Sequence, residues 1–290
     1  MYDDSEADTY IMLLLSDSNL PTGSFVASSG LESYVKHGFA SSSSADVATV
    51  NFVRDSLGSY SQSAIPFVSD AHLAVVKFSE VMESDADKEM VAGEERYEAI
   101  LETLTELDAL YHVMTLNHVA RRASMSQGVA LLTLYSKGFS RPPSMSAFSS
   151  TESQDHETRM HKLLDLFKLR VRREETFGHL PVCWGILTAA LGLTLERAQY
   201  LHLFLHARSL LSASVRLNDL GPYGAQQVLL HAVRPLVAAE ATRCRQLRTE
   251  LLRGVNEGSE DAAFGPANTW PLGEILAGRH DLQHSRIFNS

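Results

Sequence analysis

No part of this chain alternates apolar and polar residues for long, and this constrains its fold more than any other feature. A half-buried strand needs such alternation, because successive side chains point to opposite faces of the sheet. Here the apolar residues recur at steps of three and four, as in Leu101, Leu104, Leu107, Leu110 and Met114. Those steps place side chains on one face of a helix. A second series runs Val233, Leu236, Val237, Cys244, Leu247 and Leu251, with Pro235 inside it. Proline removes a backbone donor and should kink that series or start a new helix. Residue choice agrees: leucine occurs 40 times, isoleucine and valine together 26 times, which favours helix over strand. The expected fold is all-α, a single-domain helical bundle of about ten helices around a buried central helix. Helices are expected near 9–16, 28–38, 45–61, 64–83, 94–118, 121–136, 155–172, 181–192, 195–217 and 222–253. Segment 195–217 is apolar nearly all round in its middle and is the expected central helix. A helical domain over 1–253, with polar surface insertions at 84–94 and 137–158, should be followed by a linker and tail over 254–290.

Charge narrows the function classes. The chain of 290 residues carries a net −10, the wrong sign for a nonspecific nucleic-acid binder. Residues 80–108 hold eleven acidic side chains and two basic ones, against 24 and 23 elsewhere. That run reads either as a solvated helix face or as a steering surface for a basic partner. Segment 197–253 has eight basic residues and three acidic ones. Two cysteines, Cys183 and Cys244, cannot make a disulfide framework, and the acidic N-terminus lacks the positive charge of a signal peptide. Thr176 to Leu195 is twenty residues without a formal charge, but it contains Pro181, three glycines and His179. It reads as a helix capped near His179 and buried in a soluble core rather than a membrane span. The expectation is a cytoplasmic, reduced protein without nucleic-acid or membrane partners.

The common catalytic signatures are absent. There is no phosphate-cradling GxxxxGK[ST], no GxGxxG after a strand, no GxSxG, no CxxC and no HExxH. Three weaker candidates keep two readings each. His202 and His206, four apart, could share a helix face as metal ligands or be core histidines. Cys183 could be a nickel or zinc ligand or a buried small hydrophobe. Arg121 and Arg122 could form an anion site or a solvated helix end.

Generic helix formation leaves three segments unexplained. In Ser16–Glu32, Pro21 and Gly23 should make a turn before Phe25, and Ser28 or Ser29 should cap the next helix. In Ser212–Gln226, a helix should stop at Gly221, with Pro222 opening the next one. Arg216 at that break is assigned to an ion pair, with Asp219 one candidate partner. In Pro271–Ser290, the tail ends in Arg286-Ile287-Phe288, an aromatic anchor beside an arginine, as protein interfaces use.

Those same segments resemble the UreF family of urease accessory proteins. The opening pattern stands here as Leu20-Pro21-Thr22-Gly23-Ser24-Phe25 and Ser28-Ser29-Gly30-Leu31-Glu32. The middle one is Arg121-Arg122-Ala123-Ser124 with Gln127-Gly128, then His179-Leu180-Pro181 with Gly185. A further string runs Ser212-Ala213-Ser214-Val215-Arg216-Leu217 to Leu220-Gly221 and Gln226. The tail pattern is His280-Asp281 to Ser285-Arg286-Ile287-Phe288-Asn289-Ser290, closest to eukaryotic members. The likeness is collinear over about 10 to 290. The two insertions depart from it, as does Pro222-Tyr223-Gly224, where many relatives carry other residues.

The resemblance implies an all-α, dimerising, non-enzymatic protein with no cofactor of its own. Such proteins join a UreD/UreH-type accessory protein and recruit the GTPase UreG. The assembly then delivers nickel to apo-urease in a GTP-dependent step. The implied partner-binding residues are Pro21, Gly23, Phe25, Ser29, Gly30, Glu32, Arg121, Ser124, Arg216, Gly221, His280, Ser285, Arg286, Phe288 and Ser290. Tail 271–290 should insert into the UreD-type partner with Phe288 as anchor. The competing expectation is an all-α nickel carrier using His202, His206 and Cys183, or a helical adaptor unrelated to urease.

Overall fold

A computed structural model describes residues 4–40, 44–84, 90–142, 144, 145, 151–252 and 265–290. Among these residues every regular element is helical. The order is α1 (Asp4–Leu15), α2 (Leu31–Lys36), α3 (Ala45–Ser84), α4 (Met90–Met114), α5 (His118–Leu134), α6 (Thr151–Arg172), α7 (Leu180–Ala190), α8 (Leu195–Arg216), α9 (Pro222–Val228), α10 (Arg234–Cys244) and α11 (Pro271–Gly278). The all-α expectation holds. Residues 85–89 of the first expected insertion and 143 and 146–150 of the second lie outside the described residues. Residues 90–94 and 151–158, expected in those insertions, belong to α4 and α6.

Two expected helices, 45–61 and 64–83, are one helix of 40 residues with Pro66 inside it. Proline at 66 cannot donate to the carbonyl four residues back, Gln62. That carbonyl instead accepts from the backbone N–H of Ala267 at 3.4 Å. The expected helix 222–253 stops at Cys244. Within it a π-turn over Leu229–Val233 joins α9 to α10 with the backbone helical throughout, and Pro235 falls just after that turn.

The chain forms two compact units. The first comprises residues 1–22, 67–114 and 125–195; the second comprises 23–66, 115–124 and 196–290. In the first unit α7 is buried without interruption from Pro181 to Ala190. It is more completely enclosed than α8, the expected central helix, where Phe204, Leu205 and His206 are only half-buried. Two glycines of the family-like pattern make this enclosure possible. A Cβ on Gly185 would lie 2.6 Å from the Val68 carbonyl oxygen of α3, and one on Gly128 would lie 2.1 Å from that of Gly178. The Val68 carbonyl belongs to α3, and the Gly178 carbonyl to the buried segment leading into α7, so a Cβ at either glycine must displace backbone. Gly128→Ala is therefore expected to cost about 3 kcal/mol, the upper end for overpacking, read from the midpoint of urea unfolding.

The segment leading into α7 is held from outside. Asp108, near the end of α4, is fully buried. It accepts from the Thr176 hydroxyl at 2.6 Å and from the N–H groups of Phe177, Gly178 and His179 at 2.8, 2.7 and 2.8 Å. A carboxylate just ahead of a helix N-terminus is also on the side the helix dipole favours. The acidic run thus ends in a structural carboxylate. The described glutamates of that run, Glu80, Glu83, Glu94, Glu95, Glu98, Glu102 and Glu106, are exposed.

In the second unit, Leu31, Phe52, Leu57, Leu203, Leu210, Val233, Leu276 and Phe288 share one core. Just beyond the end of α8, Asn218 takes a positive φ of 66°, with Asp219 N–H bonded back to Ser214 O. Gly221, expected to stop the helix, has ordinary extended backbone and opens α9 before Pro222.

Candidate functional site

Residues 23–32, 121–124, 212–226 and 280–290 of the family-like pattern lie in the second unit, with the C-terminal tail. Gly23 holds φ +73° and starts a single 3₁₀ turn, Ser24–Val26. That turn leaves Phe25 67% exposed as a residue. Gly30 holds φ +89° and precedes α2, and a Cβ on it would lie 3.3 Å from Ala277 N of α11. Positive φ and the close approach of α11 both select glycine. No serine side chain caps α2, contrary to the expectation for Ser28 or Ser29: Gly30 occupies that position. Ser29 is exposed with a positive φ of 49°.

Glu32, in the first turn of α2, has a fully buried carboxylate. It accepts from the backbone N–H of Ile287 at 2.8 Å and of Phe288 at 3.2 Å. Lys36, one turn on, donates to it at 2.9 Å and also reaches Ser285 O. Buried His280 places Nε2 3.3 Å from Glu32 and Nδ1 3.7 Å from Asp281. Burial pushes the Glu32 carboxyl up, but the Lys36 ammonium and the two tail amides outweigh it and hold it below its ordinary value. Two backbone bonds continue the docking, Ser28 N–H to Ser290 O at 2.5 Å and Asn289 N–H to Val26 O at 2.9 Å.

Asp281 is the second hub. The Arg122 guanidinium donates to both its oxygens at 2.9 Å, and Arg286 donates at 2.7 Å. His118 lies 3.2 Å away. Arg122, foremost, holds the Asp281 carboxyl well below the usual carboxylate range, with His118 and His280 adding to it against slight burial. Arg122 also donates to Asn289 O at 2.8 Å. Asn117 caps α5 by accepting from Val119 N–H at 2.9 Å and donates to Glu274 O of α11 at 2.8 Å.

Arg216, in the last turn of α8, lies between two rings, 3.7 Å from the Phe25 centroid and 4.2 Å from that of Phe288. It also donates to Phe25 O. Its partners are therefore π faces and a carbonyl rather than Asp219, whose Oδ2 is buried without a hydrogen bond. Phe288, expected as an outward anchor, is 2% exposed and belongs to the core of its own chain. Its neighbour Ile287 is 54% exposed, and Leu282 is 78% exposed.

The structure thus brings together Gly23, Phe25, Ser29, Gly30, Glu32, Arg216, His280, Ser285, Arg286, Phe288 and Ser290. Pro21 belongs to the first unit and is exposed. Arg121 donates to Thr115 O, Ser124 is buried, and Gly221 serves α9. Arg121 and Arg122 are the fourth and fifth residues of α5, near its N-terminus rather than after the end of a helix, so the dipole does not favour them there. Sequence reasoning passed over Arg122, Asp281, Lys36 and Asn117 as site residues. Arg122 and Asp281 stood inside quoted motifs, and only their opposite charges could have paired them.

The alternative ligand set is engaged elsewhere. His202 Nε2 lies 2.9 Å from the Tyr60 hydroxyl, and His206 Nε2 lies 3.0 Å from Ser56 Oγ. Cys183 is fully buried, and burial, then the Asp108 charge, pushes its thiol well up. Among the described residues no group of three or more His, Cys, Asp and Glu is placed to hold a metal ion. Nor is any described helix long and apolar enough to cross a membrane.

Comparison with known proteins agrees with the geometry. The UreF family model matches residues 45–233. The chain is 40% identical to urease accessory protein 6 of Cryptococcus neoformans var. grubii, with 99% of this chain and 98% of that protein aligned. It is 32% identical to a UreF-like urease accessory protein of Schizosaccharomyces pombe, covering 99% of each. It is 27% identical to urease accessory protein F of Arabidopsis thaliana, covering 95% of this chain and 90% of that one. With a signature-built site and this similarity along its whole length, the chain belongs to the UreF family of urease accessory proteins.

Proposed function

We propose that this urease accessory protein is a non-catalytic, cytoplasmic scaffold. It joins a UreD/UreH-type accessory protein, recruits a UreG-type GTPase, and so supports GTP-dependent nickel insertion into apo-urease. Nickel is cargo of the assembly rather than a resident of this chain, and the scaffold works as a homodimer within the complex. One observation carries the reading. Distant segments bearing the family signature converge on the tail, yet leave Phe25, Leu282 and Ile287 exposed beside it. Exposed apolar side chains on a rigid, hydrogen-bonded support suit a protein partner. The tail meets that partner as a preformed surface, with Phe288 holding it in place from within. Exposed Tyr10, Leu13 and Leu14 of α1 favour self-association of the first unit.

The test is co-purification with a UreD/UreH-type protein after co-expression. A Phe25→Asp/Ile287→Asp variant should lose at least tenfold in captured partner. Tyr223→Asp, at an exposed position of α9, should capture as the parent does. Undiminished capture by the double variant would overturn the surface assignment. Equilibrium dialysis of the isolated chain against Ni(II) should find no stoichiometric binding. Tight binding lost in His206→Ala would favour the carrier reading instead.

A further inference from the structure

Two histidines of the second unit are unused by the tail site. His202 and His206 stand one turn apart on α8, each with Nε2 against a hydroxyl of α3: Tyr60 at 2.9 Å and Ser56 at 3.0 Å. Both rings also stack on Tyr60, with centroids 5.3 and 4.0 Å away. One Tyr side chain thus receives two imidazoles, and the α3–α8 seam is built on them.

We propose that His202 and His206 form an acid-sensitive pin between α3 and α8, which loosens the second unit when both rings take up protons.

From α3 the pair meets Tyr60 and Ser56, both neutral. At Ser61, beside Tyr60, α10 brings Glu240, Arg243 and Cys244; Glu240 already pairs with Arg243 and accepts from Ser61 at 2.8 Å. On α8 itself the charges nearest in sequence are Arg197 and Arg208, of the same sign as an imidazolium, and Glu196, which pairs with Arg245; Arg208 lies over Phe204. Burial, and then the proximity of His206, pushes the His202 ring down to about 3; burial alone pushes His206 down to about 4. An unfolded histidine titrates at its ordinary 6.5.

The sign follows from linkage. A histidine whose folded value is depressed leaves the opened state binding more protons. Stability is therefore full above pH 6.5 and is lost as pH falls below it. Between 6.5 and 4, each ring favours opening about tenfold per pH unit. At pH 5 that is roughly 30-fold per ring, and about a thousandfold when one opening event exposes both.

Hydrogen exchange on the full chain, corrected for intrinsic rates, tests this at pH 7.5 and 5.0. Segments 48–62 and 199–212 should lose protection by about a thousandfold at pH 5.0 in the parent. A His202→Asn/His206→Asn variant should show the same protection at both pH values. Should that variant fail to fold, His206→Gln alone is used, and its acid loss should shrink to about 30-fold. A parent with equal protection at the two pH values overturns the proposal. So does a variant that loses protection in acid as the parent does.

Discussion

Asp108→Ala is expected to destabilise the first unit by about 4 kcal/mol, near the upper limit for a single substitution. The carboxylate accepts four hydrogen bonds in a fully buried setting. Hydrogen bonds to a charged group are worth about 1.5–3 kcal/mol each, and those sharing one acceptor group do not add. Removing the acceptor also strands the N–H groups of Phe177, Gly178 and His179 just ahead of α7, and those of Gly178 and His179 are buried. Asp108→Asn separates charge from geometry. A carboxamide with its oxygen at the Oδ2 position keeps the bonds to Thr176, Phe177 and Gly178 and loses the one to His179. Its cost should be about half that of alanine. Urea unfolding measures both, and hydrogen exchange over 176–190 should locate the loss at α7. An alanine variant within 1 kcal/mol of the parent would mean that another group had taken over the cap.

The fold class was legible because period and residue choice agreed, and nothing in the chain argued for strands. The helix boundaries that failed did so where distant groups overrode local signals. Ser56, Ser59, Ser61 and Pro66 look like a break between two helices. Each has a remote counterpart instead: His206 for Ser56, Asn268 for Ser59, Glu240 for Ser61, and Ala267 for the carbonyl that Pro66 leaves open. Asp108 was hidden for a similar reason. At the end of an acidic run it looks like one more solvated carboxylate, and only the fold supplies the four donors that internalise it. The site was legible as separate pieces. Gly30 and Glu32 were singled out, but the position of the tail in its own core was not readable from Arg286-Ile287-Phe288. An aromatic beside an arginine serves an external partner and an internal stack equally well. Here Arg216, 72 residues before Phe288, decides for the internal one.

Glu32→Ala should release the tail. Its carboxylate is the common acceptor for Ile287 N–H, Phe288 N–H and Lys36, with His280 at 3.3 Å. Removing one partner of a buried charge pair costs about 3–5 kcal/mol, because the remaining charge and donors are left uncompensated. The chain need not unfold to escape that cost. The tail can undock, carrying Phe288 out of the core and Lys36 into water, so the loss is capped by the docking free energy. Local and global readouts should therefore differ. Amide exchange at 287–289 should rise by a factor of a hundred or more, since about 2.7 kcal/mol of lost protection is a hundredfold. Urea stability of the second unit should fall by less than the full pair energy. Glu32→Gln keeps an acceptor for one tail amide but not the Lys36 pair, and should sit between parent and alanine. The pH dependence has a fixed sign as well. The fold holds the Glu32 carboxyl below its ordinary value of 4.5, so its contribution is complete above that pH and fades as pH falls through the lowered value. Equal exchange at 287–289 in parent and alanine variant would show that Asp281, Arg122 and the Arg216 stack hold the tail without Glu32.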